Sequence, residues 1–72
     1  MKKEKVIKLL IDNGYILHPV FNFYYQDKIF SSYFYVNDNS ICIGKIKWSS
    51  INLKEYKVIS LKSFIPSRYS LK

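Results

Sequence analysis

Cysteine, glycine and paired acidic residues are scarce in this chain, and each shortage excludes a class of protein. Cys42 is the only cysteine, which excludes an internal disulfide or a multi-cysteine metal site and favours a reducing interior. Two glycines are too few for the usual glycine-rich phosphate loop. The five acids are scattered, without a pair placed for acid–base catalysis. We therefore expect a binding protein rather than an enzyme, with no metal and no cofactor.

Long apolar runs are absent as well. The N-terminus has the basic start of a signal peptide, but Lys8, Asp12 and Asn13 interrupt the short apolar run that follows. No stretch approaches the roughly 20 apolar residues that a membrane-spanning helix needs. The sequence thus predicts a cytoplasmic protein without a membrane partner.

Lysine and aromatic residues, by contrast, are abundant. The net charge is +7, and 18% of the residues are aromatic. Such a charge favours a polyanionic partner, because phosphates attract clustered cations. Codon bias in an AT-rich genome would also enrich lysine, and Arg68 is the only arginine, the residue preferred for bidentate phosphate contacts. Both explanations of the charge remain open.

The whole chain, residues 1–72, is short enough for one small basic α+β domain. Residues 2–13 have the periodicity of an amphipathic helix, and Asn13-Gly14 is a strong stop signal. The apolar stripe of this helix comprises Val6, Ile7, Leu10 and Ile11, with Leu9 at its edge.

Aromatic and β-branched residues dominate after the helix and predict an antiparallel β-meander. A short extended lead-in at 15–17 precedes the first strand. The turns are expected at "QDK" and "NDNS", and a longer connection runs through "SSINLKE". The predicted fold is therefore a helix packed on one face of a four-stranded sheet (αββββ), with strands over residues 20–25, 29–36, 41–48 and 57–65.

These turns also predict the strand register. A hairpin closed at 27–28 puts Phe21 opposite Phe34, and one closed at 38–39 puts Phe34 opposite Ile43. The face that the helix should cover then gathers Phe21, Phe23, Tyr25, Phe30, Phe34, Val36, Ile41 and Ile43. The other face gathers Asn22, Tyr24, Ser31, Tyr33 and Tyr35.

The stretch "ICIGKIKWSS", residues 41–50, changes phase at Gly44. The two isoleucines before Gly44 have one parity, whereas Ile46 and Trp48 have the other. Either both faces of the strand are half apolar, or a bulge at Gly44 keeps one face apolar throughout. We favour the bulge, which turns Ile46 and Trp48 into the core and moves the two lysines of the stretch beside the tyrosines.

This arrangement predicts a surface for single-stranded RNA or DNA. Aromatic rings stack on unpaired bases and lysines follow the phosphates. The tyrosines could instead only shield the sheet, and no RNP box or GXXG loop is present. The candidate nucleic-acid-binding residues are Tyr24, Tyr33, Tyr35, Lys45, Lys47 and Arg68.

The opening "KVIKLLIDNGYIL", a helix followed by Gly-Tyr and a strand, resembles the start of the HicA-type messenger-RNA interferase toxins. The resemblance implies a double-stranded-RNA-binding-domain-like αβββα fold. It covers only the first quarter of the chain, and the Gly-Ser-His motif that supplies the catalytic histidine of that family is absent. His18 precedes a proline instead, so no catalytic role carries over.

A second class of function also fits the sequence. A compact stand-alone protein of phage or mobile-element type could act as an inhibitor or adaptor on a host protein or nucleoprotein complex. A chain of charge +7 would then cover an acidic surface of that partner. A homodimer through the aromatic face or an edge strand is possible too.

Overall fold

A computed structural model describes residues 1–28, 30–47 and 50–72, apart from the side chains of residues 50–55. One α-helix precedes an antiparallel sheet of five strands in the order β1-β2-β3-β4-β5, followed by two short 3-10 helices. The α+β class and the meander are confirmed, although the sheet has one strand more than expected because the lead-in pairs with the next strand. The elements are α1 (Lys3–Asp12), β1 (Ile16–Leu17), β2 (Tyr24–Tyr25), β3 (Phe30–Val36), β4 (Ser40–Lys47), β5 (Ser50–Ser60) and the 3-10 helices Leu61–Ser63 and Pro66–Tyr69.

Helix α1 forms and ends where its sequence indicates. Val6 and Leu10 are fully buried, whereas Ile11, expected in the same stripe, is 55% exposed. The Asn13 N–H donates to the carbonyls of the last turn, and Gly14 takes a φ of +86°, in the left-handed region that favours glycine. The chain therefore leaves the helix abruptly and enters β1.

The main core lies between α1 and one face of the sheet, which we call the helix side. Phe34 is at its centre, in edge-to-face contact with Tyr15, Phe64 and Tyr69 at ring-centroid distances of 5.3, 6.3 and 5.7 Å. The buried members of this core are Val6, Leu10, Tyr15, Phe34, Val36, Ile41, Ile43, Leu61, Phe64 and Leu71.

The C-terminal segment closes this core instead of extending the last strand. β5 ends at Ser60, whose hydroxyl accepts a hydrogen bond from the Ser63 N–H, so residues 61–63 form a 3-10 turn where we expected strand. The end of the chain is held as well, because the Asn13 side chain accepts from the Lys72 N–H at 2.9 Å. Two 3-10 helices also replace the closing helix of an αβββα fold.

The first hairpin has a different register from the predicted one. Tyr24, not Phe21, lies opposite Phe34. The register is shifted by three residues, and a shift by an odd number moves every side chain of the strand to the opposite face of the sheet. Tyr24 therefore lies on the helix side, and Phe23 and Tyr25 belong to the opposite face, which we call the far side.

Contacts outside the hairpin explain the new register. The Gln26 side-chain amide donates to the Asn13 carbonyl at 2.7 Å. This hydrogen bond ties the turn at residues 26–28 to the end of α1. Upstream, His18 Nδ1 accepts the backbone N–H groups of Val20 and Phe21, and the next residue has a left-handed backbone. Residues 18–22 therefore form a turn, and β2 is only two residues long.

Strand β4 pairs with β3 in a single register along its whole length, without a bulge. The predicted pairing of Phe34 with Ile43 is confirmed, and the register continues unbroken to the pair Phe30 and Lys47. Residues 41, 43, 45 and 47 consequently lie on the helix side, and residues 42, 44 and 46 on the far side. The expectation that the two lysines join Tyr33 and Tyr35 is therefore wrong.

A register irregularity does lie beside Gly44, but the additional residues belong to β5. Gly44 pairs with Tyr56 and Ile46 pairs with Ile51, so four residues of β5, 52–55, oppose a single residue of β4. The expected connection at 49–55 is thus strand from Ser50 onward. Ile46 is buried as predicted, but on the far side. The predicted position of Trp48 lies outside the described residues.

Gly44 allows the close approach of an aromatic ring beside this irregularity. The ring of Tyr33 lies directly over it, and a Cβ atom at this position would overlap that ring. With the glycine in place, Tyr33 is buried against Phe23 and Ile46 in a small far-side cluster. This cluster explains why the apolar pattern of β4 changes parity.

Candidate nucleic-acid interface

Three cationic side chains line one pocket on the helix side, which we call the basic pocket. Lys45 comes from β4, Lys57 from β5 and Arg68 from the second 3-10 helix. The pocket has a volume of about 460 Å³. Its remaining lining residues are Ser32, Ile43, Tyr69 and Ser70, three of which carry hydroxyl groups.

The sheet supplies the floor of the basic pocket. Lys45 lies opposite Ser32 on β3, and Lys57 lies opposite Ile43 on β4, so neighbouring strands bring these side chains together. Because strand pairing fixes their backbone, only the long lysine side chains must be ordered when a ligand binds.

The C-terminal segment supplies the wall. Pro66 begins the 3-10 helix, and the Leu71 N–H donates back to the Pro66 carbonyl at 3.2 Å. Between them Ser70 has a φ of 60°, and Leu71 turns into the core. Tyr69 stacks on Phe64 at a centroid distance of 5.5 Å, so the wall is packed against the domain.

The charge of the basic pocket is not compensated by the side chains described around it. Its lining includes no acidic residue. The ion pairs found in residues 1–28, 30–47 and 56–72 are Lys3 with Asp38 and Lys8 with Asp12, and neither pair touches the pocket. Three cations that share a pocket attract a multiply charged anion.

Lys47 extends the cationic surface along the helix side. It lies opposite Phe30, whose ring is 62% exposed. The helix side therefore presents an exposed aromatic ring next to its cations, which is the combination that the sequence led us to expect on the far side.

The six candidate residues are thus divided between the two sides of the sheet. Lys45, Lys47 and Arg68 share the helix side, with Arg68 and Lys45 in one pocket. Tyr24 is also on the helix side, but it is half-buried against the core. The two remaining tyrosines lie on the far side, Tyr33 buried and Tyr35 exposed.

Of the residues that line the basic pocket, the sequence predicts only Lys45 and Arg68 as site residues. It places Lys57 in the last strand of the meander without a binding role, and it assigns no role to Tyr69 or Ser70. The regular alternation of β4 could have located Lys45, since it places this lysine opposite Ser32 when no bulge intervenes. No comparable signal indicates that residues 68–70 fold back over the sheet.

The far side carries a shallow aromatic groove of about 220 Å³. Burial raises the pKa of Tyr33, and the adjacent Cys42 and Tyr56 raise that pKa further. The rings of Phe21 and Tyr35 are exposed at the rim. The groove is lined by five aromatic side chains and one cysteine: Phe21, Phe23, Tyr33, Tyr35, Tyr56 and Cys42.

Other kinds of site find little support in the part of the chain that is described. No three His, Cys, Asp or Glu side chains among those residues come together as metal ligands. His18 Nδ1 accepts two backbone N–H groups of its own turn. No helix within the described ranges has the length and apolar character needed to cross a bilayer.

Comparisons of the chain with protein-family models, curated proteins and solved structures find no significant match. The basic pocket and the far-side groove are the two candidate sites of this protein.

Proposed function

We propose that this protein binds single-stranded RNA or DNA on the helix side of its sheet, with the basic pocket as the centre of the site. The observation that carries the proposal is the convergence of Lys45, Lys57 and Arg68, from three separate elements, on one pocket with no acidic side chain among its described lining residues. Neutralising phosphates releases counterions, which supplies affinity without strong sequence preference.

The rings beside the cations supply the second part of the interaction. Phe30 pairs across the sheet with Lys47 and is 62% exposed, so we assign base stacking to the exposed part of its ring. A single strand would therefore have its phosphates at the lysines and Arg68 and at least one base at Phe30. Duplex DNA does not offer an unstacked base to such a ring, which favours single strands.

Binding of a fluorescent oligonucleotide, measured by anisotropy at several salt concentrations, tests the proposal. An oligonucleotide of about 12 residues suits the known range of single-strand sites. The triple variant Lys45→Ala, Lys57→Ala, Arg68→Ala should bind at least about tenfold more weakly and flatten the slope of log K against log salt by about 1 to 2, at about 0.7 for each phosphate charge that the pocket neutralises.

The matched control removes the same charge from separate places. Lys5→Ala, Lys28→Ala and Lys62→Ala together also lower the net charge from +7 to +4 (7 − 3), but none of these exposed lysines lines the basic pocket. We expect this variant to retain most of the affinity and slope. Equal losses in the two triple variants would contradict a localised site and leave only general attraction to polyanions.

Stacking is tested by Phe30→Ala, with Phe21→Ala on the far side as its control. Loss of one stacked base should weaken binding about fivefold or more with an unchanged salt slope. Both rings are exposed, so both substitutions should be tolerated by the fold. An equal effect of the two substitutions would remove Phe30 from the site.

The exposed apolar far side favours one other candidate function, binding to a host protein as an inhibitor or adaptor. Tyr35, Tyr56 and Val58 are each at least 40% exposed there, around the aromatic groove. A partner of suitable chemistry would combine an apolar patch with an acidic rim, given the charge of +7. Tyr56→Lys should abolish such binding and leave oligonucleotide binding intact, whereas retained partner binding would exclude the groove.

A further inference from the structure

We infer that the basic pocket takes the terminal phosphate of a nucleic-acid strand, a phosphate monoester, in preference to an internal phosphodiester. This inference rests on the proposed function and names the chemical group that the pocket recognises.

The number of cations favours a monoester. An internal phosphodiester carries one negative charge, whereas a monoester carries about 1.5 to 2 at neutral pH and has three strong acceptor oxygens. Lys45, Lys57 and Arg68 bring three positive charges to one pocket. A single internal phosphodiester would balance about one of these three charges, whereas a terminal phosphate would balance up to about two of them.

The donors in the pocket also suit three oxygens. The planar guanidinium of Arg68 can donate two parallel hydrogen bonds to one phosphate, and each lysine can contact another oxygen as a compact charge. Ser32 and Ser70 add hydroxyl donors from opposite parts of the lining, the sheet and the C-terminal segment. Cations and hydroxyls together can thus surround a phosphate rather than contact it from one side.

The shape of the site further favours a strand end. The floor comes from three adjacent strands, through Ser32, Lys45 and Lys57, and residues 68–70 form a wall. A volume of about 460 Å³ lies in the range of pockets that enclose small ligands, about 300 to 1,000 Å³. A pocket of this size with a wall on one side can accommodate the end of a strand together with its terminal phosphate.

The test compares three oligonucleotides of one sequence, with a 5′-phosphate, with a 3′-phosphate, and with hydroxyl groups at both ends. At about 0.15 M salt, we expect one phosphorylated form to bind about tenfold more tightly than the hydroxyl form. Arg68→Ala should remove this difference, and the scattered variant with Lys5, Lys28 and Lys62 changed should retain it. Adenosine 5′-monophosphate should compete for the site, and adenosine should not.

The possible failures can be told apart. If all three oligonucleotides bind equally and binding still depends on the three pocket cations, the preference for a terminal phosphate is wrong and the proposed function stands. If the pocket variant binds like the scattered variant, the proposed function fails and the inference fails with it. Thermal melting of each variant, followed by circular dichroism, confirms that the proteins compared are folded.

Discussion

The two sides of the sheet are both apolar in part, but they differ in the size of their buried clusters and in the charge of their pockets. On the helix side, ten buried residues from α1, the strands and the C-terminal segment form one continuous core. On the far side, the smaller cluster of buried residues among those described comprises Phe23, Tyr33 and Ile46. The helix side, which holds the larger core, also holds the cations, whereas the far side exposes neutral rings around its groove.

Strand β4 shows how one sequence serves both sides. Its first half gives Ile41 and Ile43 to the helix-side core, and its second half gives Ile46 to the far-side cluster. Lys45 is consequently directed to the helix side, into the basic pocket. The change of apolar parity within β4 therefore marks the point at which its buried side chains change from the helix side to the far side. The lysines after this point lie on the part of the helix side that is exposed to solvent.

The largest expected effect distinguishes the two apolar clusters. Phe34→Ala should lower the free energy of unfolding by about 3 to 5 kcal/mol, because the ring is fully buried among three other rings. Phe23→Ala should cost less than about 3 kcal/mol, since the smaller cluster around it can relax into the space. Urea denaturation measures both values, and a greater loss for Phe23→Ala would reverse the ranking of the two sides.

A smaller effect concerns the close approach of Tyr33 to Gly44. Gly44→Ala should cost about 1 to 3 kcal/mol, because the added methyl group overlaps the ring. In a Tyr33→Ala background the same substitution should cost much less. A double-mutant cycle measures this coupling, and an identical cost of Gly44→Ala in both backgrounds would show that the glycine is needed for some other reason.

The smallest effect is on stability at alkaline pH, to which both sides contribute. Burial raises the pKa of Tyr15 on the helix side. The pKa of Tyr33 on the far side is also raised, mainly by burial and further by Cys42 and Tyr56. The unfolded chain therefore loses these protons first as pH rises above about 10, so the stability present below that pH should decline. Tyr15→Phe should make the decline shallower than in the parent protein, with Tyr35→Phe as an exposed control. Urea midpoints at several pH values measure this, and parallel declines would contradict it.

The parts of the fold that depend on local signals could be predicted from the sequence. The boundaries of α1 follow from its apolar periodicity and from Gly14, whose positive φ ends the helix. The pairing of β3 with β4 follows from the tight turn at 37–40, where the Asn37 N–H donates to the Ser40 carbonyl. In both cases the deciding interactions lie within a few residues of each other.

The parts that depend on distant contacts could not be predicted. The hydrogen bond from Gln26 to Asn13 spans 13 residues and displaces the first hairpin by three positions. Lys57 and Arg68 reach the basic pocket only after β5 pairs and the C-terminal segment folds back. A glycine in a strand also fits a bulge and a close ring equally well, and only the position of Tyr33 distinguishes them.

The central claim is that the helix side binds the ligand and the far side does not. Side-chain NMR signals during titration with a single-stranded oligonucleotide test it directly, because the two sides carry different reporters. We predict large, saturable shifts for the Arg68 guanidinium and the Tyr69 ring in the basic pocket, with the Tyr35 and Tyr56 rings of the far-side groove almost unchanged. Shifts concentrated on Tyr35 and Tyr56, with Arg68 and Tyr69 unaffected, would contradict the account.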